Sequence, residues 1–437
     1  MKKVNENTLF MLGSNTKAFT GTSLCILDHQ GKVSLDDKVT KWLPDFRLYD
    51  DLATQYATVA DLLCHRIGIA TGRGDFTFWY SDLSRDEIIE KLRYIEPVFD
   101  FRAGYGYCNA AFVTAGEIIP KVTGTSWETF VEENILTPLE MNRTQMLSAN
   151  ARNTSNMSKG HMLTIDDRFL NVGIPLIDNV GASGGMSSSV KDMSNWLICL
   201  LNEGKFKNRQ VIPKEVIQKV QDPHNIINFD KNDMAQTHFY LYGLGFRIKD
   251  RNGKLVFFHG GGVDGFLSKV ILIPSEKVGI VILSNSESNQ LFNDLASELQ
   301  DAFLGLPYQG YTKKSLKNFK KEQAEQAQWL DSLKQIVALN NKPPLSLKSF
   351  TGTFHNEIYG EIEVSKVNKG LAIHFSHHPD LTGNLEYINR NSFLCTYSIP
   401  GYSIKEIPFK MENGKVTSLT LRVINSTESI PYEFIKK

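Results

Sequence analysis

Around Tyr242 the hydrophobic period of the chain changes from helical to strand-like, and that switch restricts the folds open to it. Upstream, helical patterns alternate with glycine-rich loops. Downstream, strand-like runs at 255–258, Phe266–Ile273 and 278–283 follow one another, the last two joined by Pro274-Ser275-Glu276-Lys277. A further helix is expected near 291–304. Long helical stretches ahead of a strand meander predict an α+β domain with an antiparallel sheet flanked by helices. Ser84-Arg85-Asp86-Glu87 is a capping box opening a helix over 87–94, and Thr125-Ser126-Trp127-Glu128 opens another. Residues 109–122 carry apolar side chains at helical spacing and stop at Gly124, while 188–202 form an amphipathic helix closed by Gly204.

Beyond 308 the composition shifts. Residues 309–345 are rich in Lys, Gln and Glu and end at Pro343-Pro344, which reads as a polar, partly helical connector with a solvated face at 317–321. From Phe350 short strands alternate with Gly and Asn turns, predicting a small all-β barrel or sandwich. The chain thus divides into 1–308, 309–345 and 346–437. With 48 basic and 48 acidic residues it has no net charge to draw it to nucleic acid or an anionic membrane. The longest apolar run, 278–283, is one buried strand and cannot span a bilayer. Met1-Lys2-Lys3 is followed by no apolar segment, so the chain as written is expected in the cytoplasm. Five scattered cysteines with no C-x-x-C pair read as reduced thiols, without zinc or disulfides.

Three elements carry chemistry. Ser14-Asn15-Thr16-Lys17 places a hydroxyl and an amine three residues apart, on one face if Ser14 starts a helix. A desolvated lysine there can act as a base. Tyr107-Cys108-Asn109 stands just before a helix, its phenol able to shuttle protons and its amide able to orient a lysine. His259-Gly260-Gly261-Gly262 ends one strand and leads to the next, where exposed N–H groups of Gly261 and Gly262 could hold an oxyanion or an extended substrate, or simply form a bulge and tight turn. Two further matches compete: Ser188-Ser189-Val190-Lys191 and Tyr387-Ile388-Asn389. His374, His377, His378 and Asp380 suggest a metal cluster, but strand alternation splits His374 from His377, no supporting outer shell is visible, and no metal site is assigned. Cys108 reads as a small buried filler; Trp79 and Tyr80 are candidates to line a cleft, with packing the favoured reading.

In order and spacing, with Ser14 and Tyr107 93 residues apart, these elements resemble the serine β-lactamase-like hydrolases: class C β-lactamases, penicillin-binding proteins, and related D-aminopeptidases and esterases. Supporting matches are Asp61-Leu62-Leu63-Cys64-His65-Arg66-Ile67-Gly68, Phe101-Arg102-Ala103-Gly104, Gly184-Gly185-Met186-Ser187-Ser188, Tyr242-Gly243-Leu244-Gly245 and Leu283-Ser284-Asn285. The C-terminal part resembles the lipocalin-like barrel appended to one branch. The resemblance implies a β-lactamase/transpeptidase-like fold. It also implies a serine hydrolase acting through an acyl-enzyme on an amide or ester, with no cofactor. Its substrate would be a small peptide, ester or β-lactam-like compound. Ser14 would be nucleophile and Lys17 base, Tyr107 the proton shuttle, Asn109 and His259 supporting groups, and Gly262 an oxyanion donor. Ser188, Lys191 and Tyr387 would be bystanders.

The chain departs from the family in two respects. Members carry a helix and two strands before the S-x-x-K helix, whereas thirteen residues precede Ser14. That leaves the strand at 278–283 with an unprotected apolar edge, which invites a homo-oligomer. A longer native N-terminus would supply the missing elements and could carry a signal directing the protein to the periplasm or outside. The alternative reading is a catalytically impaired binding or scaffold protein. His259 also replaces the β-lactamase lysine that holds the substrate carboxylate, which points to peptidase or esterase action over penicillin hydrolysis.

Overall fold

Helix α1 (Lys17–His29) is buried from Lys17 through Leu27, which places the S-x-x-K segment at the centre of the protein. The computed structural model describes residues 3–231, 236–287, 290–368, 370–422 and 430–437. Helix α2 (Asn109–Thr123) packs beside α1 and ends where Gly124 turns left-handed at φ 75°. Helix α3 (Val190–Leu201) is opened by Ser189, whose side chain accepts from the Asp192 N–H, and the Phe19 and Trp196 rings stack 4.6 Å apart between α1 and α3. The predicted helix at 188–202 is therefore shorter at its start. Ser188 belongs to a short strand paired with Phe10–Met11, and the cap falls one residue later. At 87–94 the capping box forms, but the helix Arg85–Lys91 tightens to a 3-10 turn over Leu92–Tyr94.

The meander forms as expected. Strands β1 (Asn225–Phe229), β2 (Phe239–Tyr242), β3 (Arg247–Arg251), β4 (Lys254–Val263), β5 (Phe266–Ile273) and β6 (Val278–Ser284) make an antiparallel sheet in sequential order. Strand β4 is longer than the apolar run that predicted it. It continues through His259 and the three glycines to Val263, so the glycines lie inside the strand and the turn is Asp264-Gly265. Helix α4 (Leu291–Phe303) lays Ala296 on Val256, Ile271, Ile273 and Ile280 of one sheet face. Strand β6 ends the sheet, and among the described residues no strand pairs with its outer side.

The connector is one 28-residue helix, α5 (Tyr311–Ala338), which buries only Leu330 and Leu333. It leads to a closed antiparallel barrel of β7 (Gly352–Asn356), β8 (Gly360–Lys366), β9 (Leu371–Phe375), β10 (His378–Asn389), β11 (Ser392–Tyr397), β12 (Ile404–Glu412), β13 (Lys415–Leu421) and β14 (Tyr432–Lys436), shut by β7 against β14. Phe350, Phe354, Phe393 and Phe409 fill its interior with edge-to-face contacts. All five cysteines are buried free thiols. Among the described residues no helix is long and apolar enough to cross a membrane.

Candidate active site

A 3-10 turn, Gly13–Thr16, feeds directly into α1 and sets Ser14 at its mouth with Lys17 one turn inside. Lys17 has no exposed surface. Its Nζ lies 3.1 Å from Ser14 Oγ, 2.6 Å from Asn109 Oδ1, and 2.9 and 2.7 Å from the carbonyl oxygen and Oγ of Ser183. Burial holds this amine well below its ordinary pKa; the charges of Asp75 and Cys108 oppose the shift and Arg247 adds to it. Apart from Ser14, the site thus offers three acceptors to an ammonium while its dryness favours the free amine.

Asn109 is the first residue of α2, so its side chain projects from the helix start toward α1. Its amide nitrogen donates to both carboxylate oxygens of Asp75, at 3.1 and 3.0 Å, which turns the amide oxygen toward Lys17 and Ser183. The Tyr107 ring lies 4.7 Å from Lys17 Nζ. Its buried hydroxyl has no hydrogen bond within normal limits, though an interaction with Ser14 opposes the rise that burial gives its pKa. Burial raises the phenol pKa, so it stays protonated. Cys108 is filler, as expected: its thiol is pushed up to about 12 by burial.

Strand β4 forms the other wall. A Cβ on Gly261 would fall 1.9 Å from the Leu12 carbonyl oxygen, so only glycine lets the strand lie against the Ser14 turn. The Gly262 N–H lies on the same contact, within 2.7 Å of where a Cβ on Gly13 would be. Both nitrogens of His259 are engaged within the protein: Nδ1 donates to the Gly260 carbonyl at 2.6 Å, and Nε2 accepts from Tyr242 Oη at 2.9 Å. Burial and the charges of Arg247 and Lys17 keep this ring neutral. It therefore offers the site no free ring nitrogen. His65 accepts from the Cys108 N–H at 3.1 Å and packs 4.3 Å from the Tyr107 ring.

Two clefts open from Ser14. One, of about 240 Å³, is lined by Ser14, Tyr107, Asn109, Ser183 and Gly262, by Asp264 and Glu287, and by Trp79, Tyr80 and Tyr402. Trp79 and Tyr80 line this cleft, the less favoured of the two roles read for them above, and the loop that carries them is bonded by the barrel. Tyr402 Oη donates to the Trp79 carbonyl at 3.0 Å, and His378 Nε2 donates to the Phe76 carbonyl at 2.7 Å with its ring stacked 3.8 Å from Phe76. The second cleft lies between Ser14, His259, Arg247, Phe258 and Lys269.

The decoy motifs lie elsewhere. Ser188 Oγ bonds Thr144 Oγ1 at 2.7 Å, and Tyr387 Oη reaches the Arg390 carbonyl at 3.2 Å. His377 pairs with Asp82, away from His378. Among the described residues no group of three or more His, Cys, Asp or Glu is placed to hold a metal.

A family model described as Beta-lactamase matches residues 1–302. The chain belongs to the β-lactamase family. A second model, of a domain of unknown function (DUF3471), matches residues 338–434 and so covers the barrel. Among curated relatives, the unguisins hydrolase ungD of Aspergillus violaceofuscus is 26% identical over 330 residues, 70% of this chain and 58% of the relative. Protein flp of Staphylococcus aureus is 26% identical over 302 residues, 65% of this chain and 54% of the relative. The chain spans little more than half the length of these relatives. The octameric penicillin-binding protein homologue from Pyrococcus abyssi superposes with a TM-score of 0.60 at 21% identity, over 99% of this chain and 89% of its own. A D-stereospecific amidohydrolase from Streptomyces gives 0.58 at 25% identity, over 70% and 90%.

Within this β-lactamase-family chain, sequence reading missed Asp75, Ser183, Arg247 and Glu287, and gave no role to His65 or Asp264, which it noted only as parts of longer matches. Ser183 directly precedes the noted Gly184-Gly185 turn and was within reach of that signal. Asp75 sits in a loop, 71–81, whose residues carry no period and no motif.

Proposed function

We propose that the protein is a serine hydrolase that cleaves an amide or ester through an acyl-enzyme on Ser14. The observation that carries this is the fully buried Lys17 amine 3.1 Å from Ser14 Oγ. As Ser14 Oγ attacks the carbonyl carbon, its proton passes to Lys17 Nζ. The resulting ammonium is held by Asn109 Oδ1 and Ser183. The backbone N–H groups of Ser14 and Gly262 receive the oxyanion, each such donor being worth about 10²–10³ in rate. Tyr107, protonated at rest, gives its proton to the leaving group and regains one from Lys17. Water then adds to the acyl ester, its proton taken by Lys17, and as the C–O bond to Ser14 breaks that proton passes from Lys17 to Ser14 Oγ, restoring the resting hydroxyl and amine. His259 holds β4 and Tyr242 in place and is a positioning residue. The resemblance to an unguisins hydrolase and to a D-stereospecific amidohydrolase supports this reading.

Incubation with a fluorophosphonate followed by intact mass tests it. One adduct is expected on the wild type and none on a folded Ser14→Ala variant; equal labelling of both would refute the assignment. Self-association through the unpaired β6 edge is a companion proposal, consistent with the octamer named among the structural neighbours. Sedimentation of the purified chain decides it: a monomer at all concentrations would reject it.

A further inference from the structure

Among the described residues the Tyr107 hydroxyl has no hydrogen-bond partner, so the aim of this phenol depends on its backbone and on the rings around it. The Tyr107 N–H donates to Thr71 Oγ1 at 3.0 Å, and its carbonyl accepts from the Gly72 N–H at 2.9 Å. The next N–H, that of Cys108, donates to His65 Nδ1 at 3.1 Å. Thr71 is exposed, so water can stand in for its hydroxyl; the Cys108 N–H is buried and would be left unpaired without His65. His65 has no exposed surface, and its ring lies 4.3 Å from that of Tyr107, 5.2 Å from Phe112 and 4.6 Å from Tyr242. Burial, reinforced by the charges of Lys17 and Arg247, keeps this ring neutral. With Nδ1 accepting, the ring proton is on Nε2, which is buried without a partner.

The backbone of His65 is left-handed, at φ 60°, a conformation that a residue with a Cβ keeps only where its surroundings impose it. They do so here. Asn225 Nδ2 donates to the carbonyls of Cys64, Gly104 and His65 at 3.0, 3.2 and 3.3 Å, and the Gly106 N–H donates to the His65 carbonyl at 3.0 Å. The buried Asp61 carboxylate accepts from both Arg66 and Arg102, binding the two stretches at a further point. His65 is thus fixed to the segment leading into Tyr107 and bonded to the residue between Tyr107 and Asn109.

We propose that His65 is a positioning residue of the reaction: by accepting the Cys108 N–H it aims the Tyr107 hydroxyl at the departing group. This rests on the acyl-enzyme reading above, in which Tyr107 gives its proton to the leaving group and takes one back from Lys17. His65 itself exchanges no proton.

Two acetate esters test it on the full chain, because they differ in how much the leaving group needs a proton. p-Nitrophenolate departs unaided, whereas the more basic phenolate of phenyl acetate gains from a donor. His65→Ala should lower kcat/KM for phenyl acetate by about 10²-fold, the cost of misplacing a reacting group by about 1 Å, and for p-nitrophenyl acetate only a few-fold. Asparagine tolerates the left-handed backbone and carries an oxygen where His65 has Nδ1, so His65→Asn should regain most of the loss. In a Tyr107→Phe background, where no phenol is left to aim, His65→Ala should add almost nothing. Should alanine leave too large a gap for the chain to fold, His65→Gln, whose oxygen lies one bond beyond the Nδ1 position, is read in the same way. Equal losses on both esters, an additive effect in the Tyr107→Phe background, or no gain from asparagine overturns the positioning role while fluorophosphonate labelling of Ser14 stands. Absence of labelling and of ester turnover in the wild type overturns the hydrolase reading together with it.

Discussion

Ser183 holds Lys17 at two points, accepting from Nζ at its carbonyl oxygen, 2.9 Å away, and at its hydroxyl, 2.7 Å away. The same hydroxyl donates to Asn109 Oδ1 at 2.8 Å, so the two acceptors beside the amine are themselves tied together. Such an arrangement stabilises the ammonium formed when Ser14 loses its proton, and it does so without placing a full negative charge against the amine.

Ser183→Ala removes one acceptor from that ammonium. The rate of Ser14 labelling should fall by about tenfold, the loss of one such hydrogen bond. Its pH profile should move to lower pH, since the charged form of Lys17 loses more than the neutral form. A fallen rate with an unmoved profile would assign Ser183 to packing alone.

The depressed pKa of Lys17 has two consequences. Labelling should rise with pH and level off at an inflection below 10.5. Stability should follow with the same sign, because the unfolded chain binds a proton that the buried amine does not. Wild type should therefore gain stability relative to Lys17→Met as pH rises between the folded value and 10.5, by up to about 1.4 kcal/mol per pH unit. Urea midpoints for both proteins across that window check it, and parallel curves would contradict the shift.

Gly261 and Gly262 differ sharply in the space around them. A Cβ on Gly261 would meet the Leu12 carbonyl at 1.9 Å and Ser268 Oγ at 2.5 Å, whereas one on Gly262 meets only Leu267 Cδ2 at 3.6 Å. Gly261→Ala should push β4 off the Ser14 turn and lower labelling by about 10², the value of an oxyanion donor. Gly262→Ala should stay within a few-fold of wild type. Equal effects would place the oxyanion site elsewhere.

His378 links the barrel to the nucleophile through Phe76, Asp75 and Asn109. Burial holds its ring down to about 4, so it is neutral in the fold and charged in the unfolded chain below 6.5. The barrel contact should weaken as pH falls from 6.5 toward 4, with the stability it contributes present above that window. His378→Ala should slow Ser14 labelling by about tenfold and His378→Gln, still able to donate to the Phe76 carbonyl, should restore much of it. Failure of glutamine to rescue would assign the effect to the lost ring stack.

Patterns that repeat along the chain were enough to place the meander, the capped helix at Ser84 and the polar connector, because each depends on contacts within a few residues. Length was harder. β4 runs five residues past its apolar stretch, since glycines carry no hydrophobic signal, and the turn at Asp264-Gly265 ends it. Ser14 and Lys17 were legible for the same local reason, being one helical turn apart. Asp75 was not, because its meaning comes from Asn109, 34 residues away, and from the barrel that positions its loop.

From the sequence alone came the periodic elements, the balanced charge and the chemical alphabet of the site: a hydroxyl, an amine, a phenol and a run of glycines. Which serine is pressed against which lysine was decided by tertiary packing. Two S-x-x-K tetrads are equivalent on paper, but burial beside Asn109 and Ser183 desolvates Lys17, and Ser188 spends its hydroxyl on Thr144. A pKa depends on what surrounds a group in three dimensions, and that surrounding is assembled from segments that are distant along the chain.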